Sequence, residues 1–296
     1  MIAVYILAGL YGLCVGSFLN VVIYRLPRDM NLAKPGSHCT TCGYALKWYD
    51  NIPVLSYIML GGKCRKCHEH ISFRYTAVEI MNTLLWLLCV RMFWAQSPLY
   101  AIAMMLALSI FVCIAFIDLE TMFINDILIY LLAVPVIMAA ISGTGATLAE
   151  RAIGLAAGGG LFLLIYLGAR LVLKREGMGT GDILLMAAVG ALLGWKATIF
   201  AILVASVTGT VVLIPIKLCR KGNKEKAAAE VAAEISTETA EEATATEESA
   251  ESDETEEESD ENGDYEFPFG PFIIFGAVAA IFLADKAIGW YLGLFA

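Results

Sequence analysis

The sequence predicts an all-α polytopic membrane protein with about eight transmembrane helices and a small cytoplasmic zinc-ribbon-like domain between helices 1 and 2. Two observations carry this prediction. Hydrophobic residues make up 59% of the 296 residues and the mean hydropathy is +0.71, whereas roughly 45–50% of an ordinary soluble domain is apolar. In addition, two Cys-x-x-Cys pairs lie inside one long polar loop.

The membrane helices are predicted from apolar runs of the roughly 17–25 residues that cross a bilayer. The first run has no basic segment before it and no small-residue cleavage site after it, which favours a retained helix over a signal peptide. A shorter run near 183–195 fits a sixth helix packed inside the bundle. The seven longer runs lie near 2–24, 76–95, 99–117, 124–142, 152–173, 197–216 and 270–294.

Basic residues predict the orientation of these helices. With the N-terminus outside, the inner loops carry sixteen Lys and Arg residues and the outer ends carry four. Cytoplasmic loops are enriched in Lys and Arg. The sequence therefore predicts that the long loop, the end of helix 3 and the start of helix 6 all lie at the cytoplasmic face.

The net charge of −9 comes from one segment, 223–266, which holds 18 of the 29 acidic residues and two lysines. It has almost no large apolar residues, so it cannot bury a core, and we predict a disordered acidic linker. An alternative is a tether that concentrates a basic substrate. The rest of the chain is basic.

The loop at 25–75 is too long for a structureless connection. Its Cys-x-x-Cys pairs are 21 residues apart, which suits a tetrahedral four-thiolate zinc site. Disulfide or redox chemistry is the weaker alternative, because the cytoplasm is reducing. Three histidines flank the pairs, His38, His68 and His70, and one could replace a ligand. The predicted ligands are Cys39, Cys42, Cys64 and Cys67; the packing cysteines are Cys14, Cys89, Cys113 and Cys219.

Two aspartates are the candidate catalytic residues. Asp118 ends the third apolar run, and Asp182 follows Gly177, Gly179 and Gly181 at the start of helix 6. Ionisable groups at a membrane boundary are costly and indicate function. Two carboxyl groups brought together can share one proton and activate a water molecule. The structural alternative is that each aspartate caps a helix.

At these residues the chain resembles the type IV prepilin peptidases, membrane aspartyl proteases that also methylate the mature pilin. The chain departs from the family at Asn125-Asp126, where Pro-Asp is usual. Asp126 is a third carboxylate, ranked below Asp118 because it can stabilise a helix N-terminus. The matching segments are GSFLNVVIYRLP (16–27), the two cysteine pairs, WYDNIPVLSY (48–57), ISFRYTAVE (71–79), the segment at Asp118, Gly179-Thr-Gly-Asp182 and FPFGPF (267–272).

The resemblance implies a function in the bacterial inner membrane. It implies removal of the basic leader of a prepilin or pseudopilin at the cytoplasmic face, with Asp118 and Asp182 as the catalytic pair. S-adenosylmethionine-dependent N-methylation of the new N-terminus is implied as well. The methyl-donor residues are not identified by sequence, although Glu79 and the loop are the first places to look, and no nucleic-acid partner is expected. Structural zinc would hold the loop in shape.

Three other functions remain open from the residues alone. A presenilin-type or signal-peptide-peptidase-type GxGD protease shares the two aspartates but lacks the four-cysteine loop. A non-enzymatic scaffold would use the loop for docking and the aspartates as caps. A transporter would need its carboxylates near mid-membrane. The predicted domains are 1–24, first transmembrane helix; 25–75, zinc-binding; 76–222, transmembrane peptidase core; 223–266, acidic linker; and 267–296, last transmembrane helix.

Overall fold

The computed structural model describes residues 1–173, 179–216 and 268–293. Within these residues the chain is helical, and strand pairing is limited to two isolated antiparallel bridges, His38 with Ala45 and Lys63 with His70. One compact unit comprises Met1–Ser206 and Pro268–Ala296, and a second comprises Val207–Phe267. The predicted acidic linker, 223–266, lies outside the described residues.

Ten α-helices lie within the described part of the chain. Short 3-10 turns occupy Leu26–Arg28 and Trp48–Asn51, and α7 continues into a π-helical turn, Ala169–Leu173. The helices are α1 (Ile2–Arg25), α2 (Leu55–Met59), α3 (Arg74–Phe93), α4 (Pro98–Thr121), α5 (Asp126–Leu131), α6 (Ala133–Ile141), α7 (Leu148–Gly168), α8 (Thr180–Leu193), α9 (Trp195–Ile216) and α10 (Gly270–Gly293).

Six helices of the described chain are long and apolar enough to cross a membrane: α1, α3, α4, α7, α9 and α10. The all-helical membrane architecture is therefore confirmed. The two remaining predicted runs form shorter apolar helices, Asp126–Ile141 and Thr180–Leu193. Their lengths fall below the roughly 20 residues that a spanning helix needs, so eight spans remain a prediction.

The run predicted at 124–142 is divided at Leu132 into α5 and α6. Pro135 has no N–H group to donate to the carbonyl four residues earlier, which weakens the helix at this point. Asn125 caps the N-terminus of α5: its side chain accepts a hydrogen bond from the Ile127 N–H at 3.0 Å. The unusual Asn-Asp pair thus supplies a helix N-cap.

Helix α4 lies at the centre of the compact unit and contacts α1, α3, α6 and α10. Its most apolar window is 78% buried, more than that of any other candidate span in the described residues. A helix that is hydrophobic on all sides is expected in such a central position. Asp118 lies in the last turn of this helix.

Glycines allow α7 and α8 to approach closely. A Cβ atom on Gly190 would overlap the backbone of Gly154, and one on Gly158 would lie 2.6 Å from the Met186 carbonyl oxygen. Small residues permit such backbone contact between membrane helices. Gly158 takes part in this close packing, whereas Gly160 in the same helix faces open space.

Candidate functional site

Each Cys-x-x-Cys pair of the loop forms a similar turn. The Gly43 N–H donates to the Cys39 carbonyl at 2.9 Å, and the His68 N–H donates to the Cys64 carbonyl at 3.0 Å. The residue after each second cysteine has a positive φ, 68° at Gly43 and 58° at His68. Only the first turn has the glycine that this conformation favours. The two turns bring all four thiols to one point.

The four Sγ atoms lie within 4.8 Å of one another and could hold a metal ion. Cys39 and Cys67 are 3.8 Å apart, and Cys42 and Cys64 are 4.0 Å apart. A tetrahedral zinc ion with Zn–S bonds of about 2.3 Å places its sulfur ligands roughly 3.8 Å apart. The four cysteines are free thiols in this arrangement, and the structure fits the metal site.

Backbone N–H groups favour the ionised form of the first cysteine in each pair. The N–H groups of Cys42 and Thr41 lower the pKa of Cys39 to about 6, and those of Cys67 and Lys66 lower the pKa of Cys64. The Glu69 N–H favours the Cys67 thiolate as well, but burial and the neighbouring thiols raise the pKa of Cys67 to about 12. A cation would relieve this repulsion among thiolates.

The flanking histidines lie outside the thiol cluster. The Nδ1 atom of His38 contacts the Gly36 carbonyl at 2.9 Å, and His68 occupies the left-handed turn position. Of the packing cysteines, Cys89 and Cys113 are buried as predicted, whereas Cys14 is exposed on α1. Cys219 lies outside the described residues.

A buried carboxylate, which the sequence did not single out, fixes the loop between the cysteine pairs. Asp50 is 6% exposed and accepts hydrogen bonds from Arg65 Nε at 2.7 Å and from the Tyr44 hydroxyl at 3.3 Å. Burial favours the neutral acid, but the hydrogen bonds from Arg65 and the Lys47 N–H hold the pKa of Asp50 below its ordinary value. Asp50 is therefore a structural anion of the loop.

Arg25 and Glu79 attach the loop to the helices by hydrogen bonds, and an ion pair joins α3 to α4 where the loop ends. The buried Arg25 guanidinium donates to the carbonyls of three loop residues, Asn31, Leu32 and Pro35. The Val54 N–H donates to Glu79 Oε2 at 2.8 Å, and Arg74 pairs with Glu120, two residues beyond Asp118. The loop and the end of α4 therefore lie at the same end of the helices.

The structure brings the two predicted catalytic aspartates together. Asp118 at the end of α4 is 4% exposed, and Asp182 in the first turn of α8 is 8% exposed. The two carboxyl groups are close enough to interact electrostatically. Each has one buried oxygen without a hydrogen-bond partner, Oδ2 of Asp118 and Oδ1 of Asp182. Most buried carboxyl oxygens in proteins are hydrogen-bonded, so such orphaned atoms require a functional explanation.

Two glycines make room beside the aspartates. A Cβ atom on Gly181 would lie 2.9 Å from Cβ of Ile124, and one on Gly270 would overlap the Asp118 carboxyl group. Gly179 precedes α8 with a φ of −69°, and neither it nor Gly181 has a positive φ. These two glycines therefore do not supply a left-handed turn, and Gly181 serves close packing against Ile124.

The third carboxylate, Asp126, is exposed at the first position of α5. A negative charge there stabilises the helix N-terminus, as the sequence suggested. The sequence missed Ile124, which is 7% exposed, and the contact between Gly270 and Asp118. The FPFGPF segment was a usable signal for Gly270, but only the packing of α10 against α4 gives it this role.

Two family models match the chain. The Bacterial Peptidase A24 N-terminal domain matches residues 10–93, and the Type IV leader peptidase family matches residues 105–214. The first range contains the cysteine loop and Glu79, and the second contains both aspartates. No solved structure matches the chain at a significant level.

Several curated relatives are named prepilin leader peptidase/N-methyltransferase. The protein of Myxococcus xanthus (strain DK1622) is 41% identical over 208 residues, covering 68% of this chain and 59% of that protein. The protein of Dickeya chrysanthemi is 36% identical, covering 68% and 78%, and that of Pectobacterium carotovorum subsp. carotovorum is 35% identical, covering 75% and 86%. The chain thus spans less than two thirds of the Myxococcus protein and more than three quarters of the other two.

Proposed function

This chain belongs to the type IV leader peptidase family, and we propose that it is a multi-pass inner-membrane aspartyl endopeptidase that removes the basic leader of prepilins or pseudopilins. N-methylation of the new N-terminus follows cleavage. The names of its relatives support both activities. The proposed domains are the zinc-binding loop at 25–75, the peptidase core at 76–222, the acidic linker at 223–266 and the single helices at 1–24 and 267–296.

One observation carries the peptidase proposal. Asp118 and Asp182 are 64 positions apart in sequence, yet both are buried, interact electrostatically and keep one oxygen unpartnered. Helix capping does not account for this pairing. A carboxylate stabilises a helix when it lies at the N-terminus, whereas Asp118 lies in the last turn of α4, at the C-terminus. The scaffold and transporter alternatives give no reason for the pairing.

The pair supports hydrolysis without a covalent intermediate. Two carboxyl groups at short distance in a poorly solvated site favour the state with one shared proton. The ionised member takes a proton from a water molecule as that water attacks the scissile carbonyl. The protonated member hydrogen-bonds the carbonyl oxygen, and its proton later neutralises the leaving amine. The apparent acidities belong to the pair and not to either residue alone.

We place this chemistry at the cytoplasmic face. The excess of Lys and Arg in the inner loops supports this orientation, and the contact of Arg74 with Glu120 puts the loop beside the end of α4. In the same arrangement α5–α6 and α8 are the two additional membrane helices of an eight-helix bundle. A substrate with a basic leader in the cytoplasm and an apolar helix in the bilayer then reaches the aspartates from the membrane.

The four cysteines are the proposed zinc ligands. Their sulfur atoms have the spacing of a tetrahedral site, and the N–H groups of each turn favour the thiolates that zinc requires. The site has four protein ligands and therefore no open coordination position, which is typical of structural zinc. In this function the four thiolates hold the two turns together and give the loop its shape.

Methylation requires S-adenosylmethionine, which supplies a methyl group from its sulfonium. The acceptor would be the free amine that cleavage creates, whose nitrogen would take the methyl group and release one proton. The role of this chain is to hold the amine, in its neutral form, against the donor and to exclude water from it.

A cleavage assay in liposomes tests the peptidase proposal. The substrate is a prepilin with a basic leader, and the enzymes are the wild type, Asp118→Asn, Asp182→Asn and the control Asp126→Asn. The control makes the same chemical change at an exposed carboxylate eight residues beyond Asp118. The product is detected by mass, so that cleavage and methylation are read separately.

We expect the wild type and Asp126→Asn to cleave, and either dyad variant to lose at least a thousandfold in rate while keeping the wild-type melting temperature. Loss of activity in Asp126→Asn alone would move the catalytic role to α5. Normal cleavage by Asp118→Asn or Asp182→Asn would exclude the two-aspartate mechanism.

A further inference from the structure

The short helix α2 carries its apolar side chains on the outside. Leu55, Ile58 and Met59 are 57%, 67% and 78% exposed, and their i, i+3, i+4 spacing puts them on one face of the helix. The polar Ser56 is buried instead, and its hydroxyl donates to the Tyr49 carbonyl at 2.8 Å. A helix at a water-facing surface has the opposite arrangement, so this apolar face calls for an apolar environment outside the loop.

The position of α2 along α3 indicates which environment it meets. The N–H group of Val54, the residue before α2, donates to Glu79 Oε2 at 2.8 Å. Glu79 lies six positions beyond the start of the candidate span Phe73–Phe93, or about 9 Å along the helix axis at 1.5 Å per residue. A span of 21 residues is about as long as the roughly 30 Å hydrocarbon layer is thick. The helix α2 therefore begins beside the membrane boundary.

The helix α2 also adjoins the apolar stripe that α3 presents to the outside. The Tyr57 ring packs edge-on against the Phe73 ring, with their centroids 6.0 Å apart. Phe73 is 59% exposed and begins a shallow apolar groove that runs along α3 past the exposed Leu84 and Leu88. Exposed apolar side chains of a membrane-spanning helix face lipid tails. The lipid that covers this stripe therefore reaches the neighbourhood of α2.

The loop around α2 is basic. Residues 25–74 contain eight Lys and Arg residues and three acidic residues, and one of the three acids, Asp50, is paired with Arg65. Basic segments beside a membrane are attracted to anionic phospholipids. A second copy of the same loop would bring charge of the same sign, which repels. Charge therefore favours an anionic lipid surface over self-association.

We propose that α2 inserts Leu55, Ile58 and Met59 into an anionic phospholipid leaflet and holds the loop against the membrane surface. Helices with one apolar face lie in the plane of the interface, with that face roughly 5–10 Å below the headgroups. The spanning helices already keep the chain in the bilayer, so the three side chains of α2 fix the position of the loop over the bilayer. This attachment goes beyond the proposed peptidase function and does not depend on it.

Oxidation of Met59 by a water-soluble oxidant tests the attachment in the wild-type chain. The full chain is reconstituted in nanodiscs of phosphatidylethanolamine and phosphatidylglycerol and treated with chloramine-T, and sulfoxide at Met59 is measured by mass. We expect Met59 to be oxidised at least tenfold more slowly than in a digest of the unfolded chain, although it is 78% exposed in the protein. Oxidation within twofold of the digest rate would overturn the proposal, because a side chain in water with this exposure is not protected.

A phospholipid with a photoreactive diazirine in its acyl chain identifies what covers Met59. After irradiation of the same nanodiscs we expect labelled peptides from residues 55–60 as well as from α3. Slow oxidation of Met59 without lipid label at 55–60 would mean that a second copy or another part of this chain covers the helix. That result would overturn the lipid assignment.

The variants Ile58→Glu and Ala33→Glu form a matched pair. Both place a carboxylate at an exposed position of the loop, but only Ile58 lies on the apolar face of α2. We expect Ile58→Glu to speed Met59 oxidation at least fivefold and to lose the lipid label at 55–60, and Ala33→Glu to behave like the wild type. Equal labelling of both variants at 55–60 would contradict the proposal. Zinc content reports whether each loop is folded, and the two wild-type measurements decide the question if Ile58→Glu loses its zinc.

Discussion

Gly270, the first residue of α10, lies directly against the carboxyl group of Asp118 in the last turn of α4. A Cβ atom at this position would overlap Oδ2 of the aspartate and would lie 3.3 Å from Cδ1 of Ile124. The Gly270 N–H group also interacts electrostatically with this carboxyl group. The start of the last helix is thus one wall of the aspartate site, and a single hydrogen in place of a side chain leaves room for the carboxyl group.

Substituting Gly270→Ala should displace the Asp118 carboxyl group. The added methyl group has no free volume, so either the aspartate or the start of α10 must move, and misplacement of a catalytic group by about 1 Å can cost roughly 100-fold in rate. We expect a 10- to 100-fold loss of prepilin cleavage, measured as kcat in liposomes. Gly289→Ala in the same helix has open space and should retain wild-type activity; equal activity of both variants would contradict this role of Gly270.

The contact between α7 and α8 should be sensitive to added volume at Gly190. A Cβ atom there would overlap the backbone of Gly154, and overpacking typically costs about 1–3 kcal/mol. We expect Gly190→Ala to lower the melting temperature in detergent by several degrees and to reduce cleavage, because α8 carries Asp182. The control is Gly160→Ala, which lies on the open face of α7 and should melt like the wild type.

The cysteine cluster should bind one zinc ion per chain. Elemental analysis of the purified protein should give about 1 zinc for the wild type and for Cys14→Ser, whose thiol is exposed on α1. Cys42→Ser should lose most of the metal, because removing one of four thiolates opens the tetrahedral site. Chelation should expose the loop to protease and reduce methylation more than cleavage. Equal loss of both activities would count against a role confined to the loop.

The pairing of Asp50 with Arg65 predicts a change in pH dependence. The pKa of Asp50 in the folded loop lies below its ordinary value of about 4. The stability that ionised Asp50 provides is therefore fully present above about pH 4. It is lost only as the pH falls through the lower pKa of the folded loop. Wild-type loop stability should therefore not depend on Asp50 between pH 5 and pH 8. In Arg65→Gln burial dominates and the pKa of Asp50 rises, so the loop should be less stable at pH 8 than at pH 5.

Hydrogen exchange of loop amides, corrected for the intrinsic effect of pH, measures this difference. The control is Lys66→Gln, which removes a neighbouring exposed charge without a contact to Asp50. It should behave like the wild type at both pH values. Equal loop stability of Arg65→Gln at pH 5 and pH 8 would contradict this expectation. It would mean that the Lys47 N–H and the Tyr44 hydroxyl suffice to keep Asp50 ionised.

The family and the helical membrane class could be predicted from the sequence because their signals are local. Hydropathy is a property of contiguous residues, and the family models and relatives confirm the membership that motifs such as GxGD at Gly179–Asp182 indicated. Helix lengths were less predictable. The run at 124–142 proved to be two helices, since one proline removes a hydrogen bond that hydropathy does not register.

The sequence by itself determined which residues are candidates for the chemistry: four thiols at a zinc spacing and two carboxylates at the ends of apolar runs. The tertiary structure alone decided what surrounds them. The contacts of Gly270 with Asp118, of Ile124 with Gly181 and of Val54 with Glu79 join segments far apart in the chain. Such contacts depend on how the helices pack in space. They produce no periodicity and no fixed spacing in the sequence from which they could be predicted.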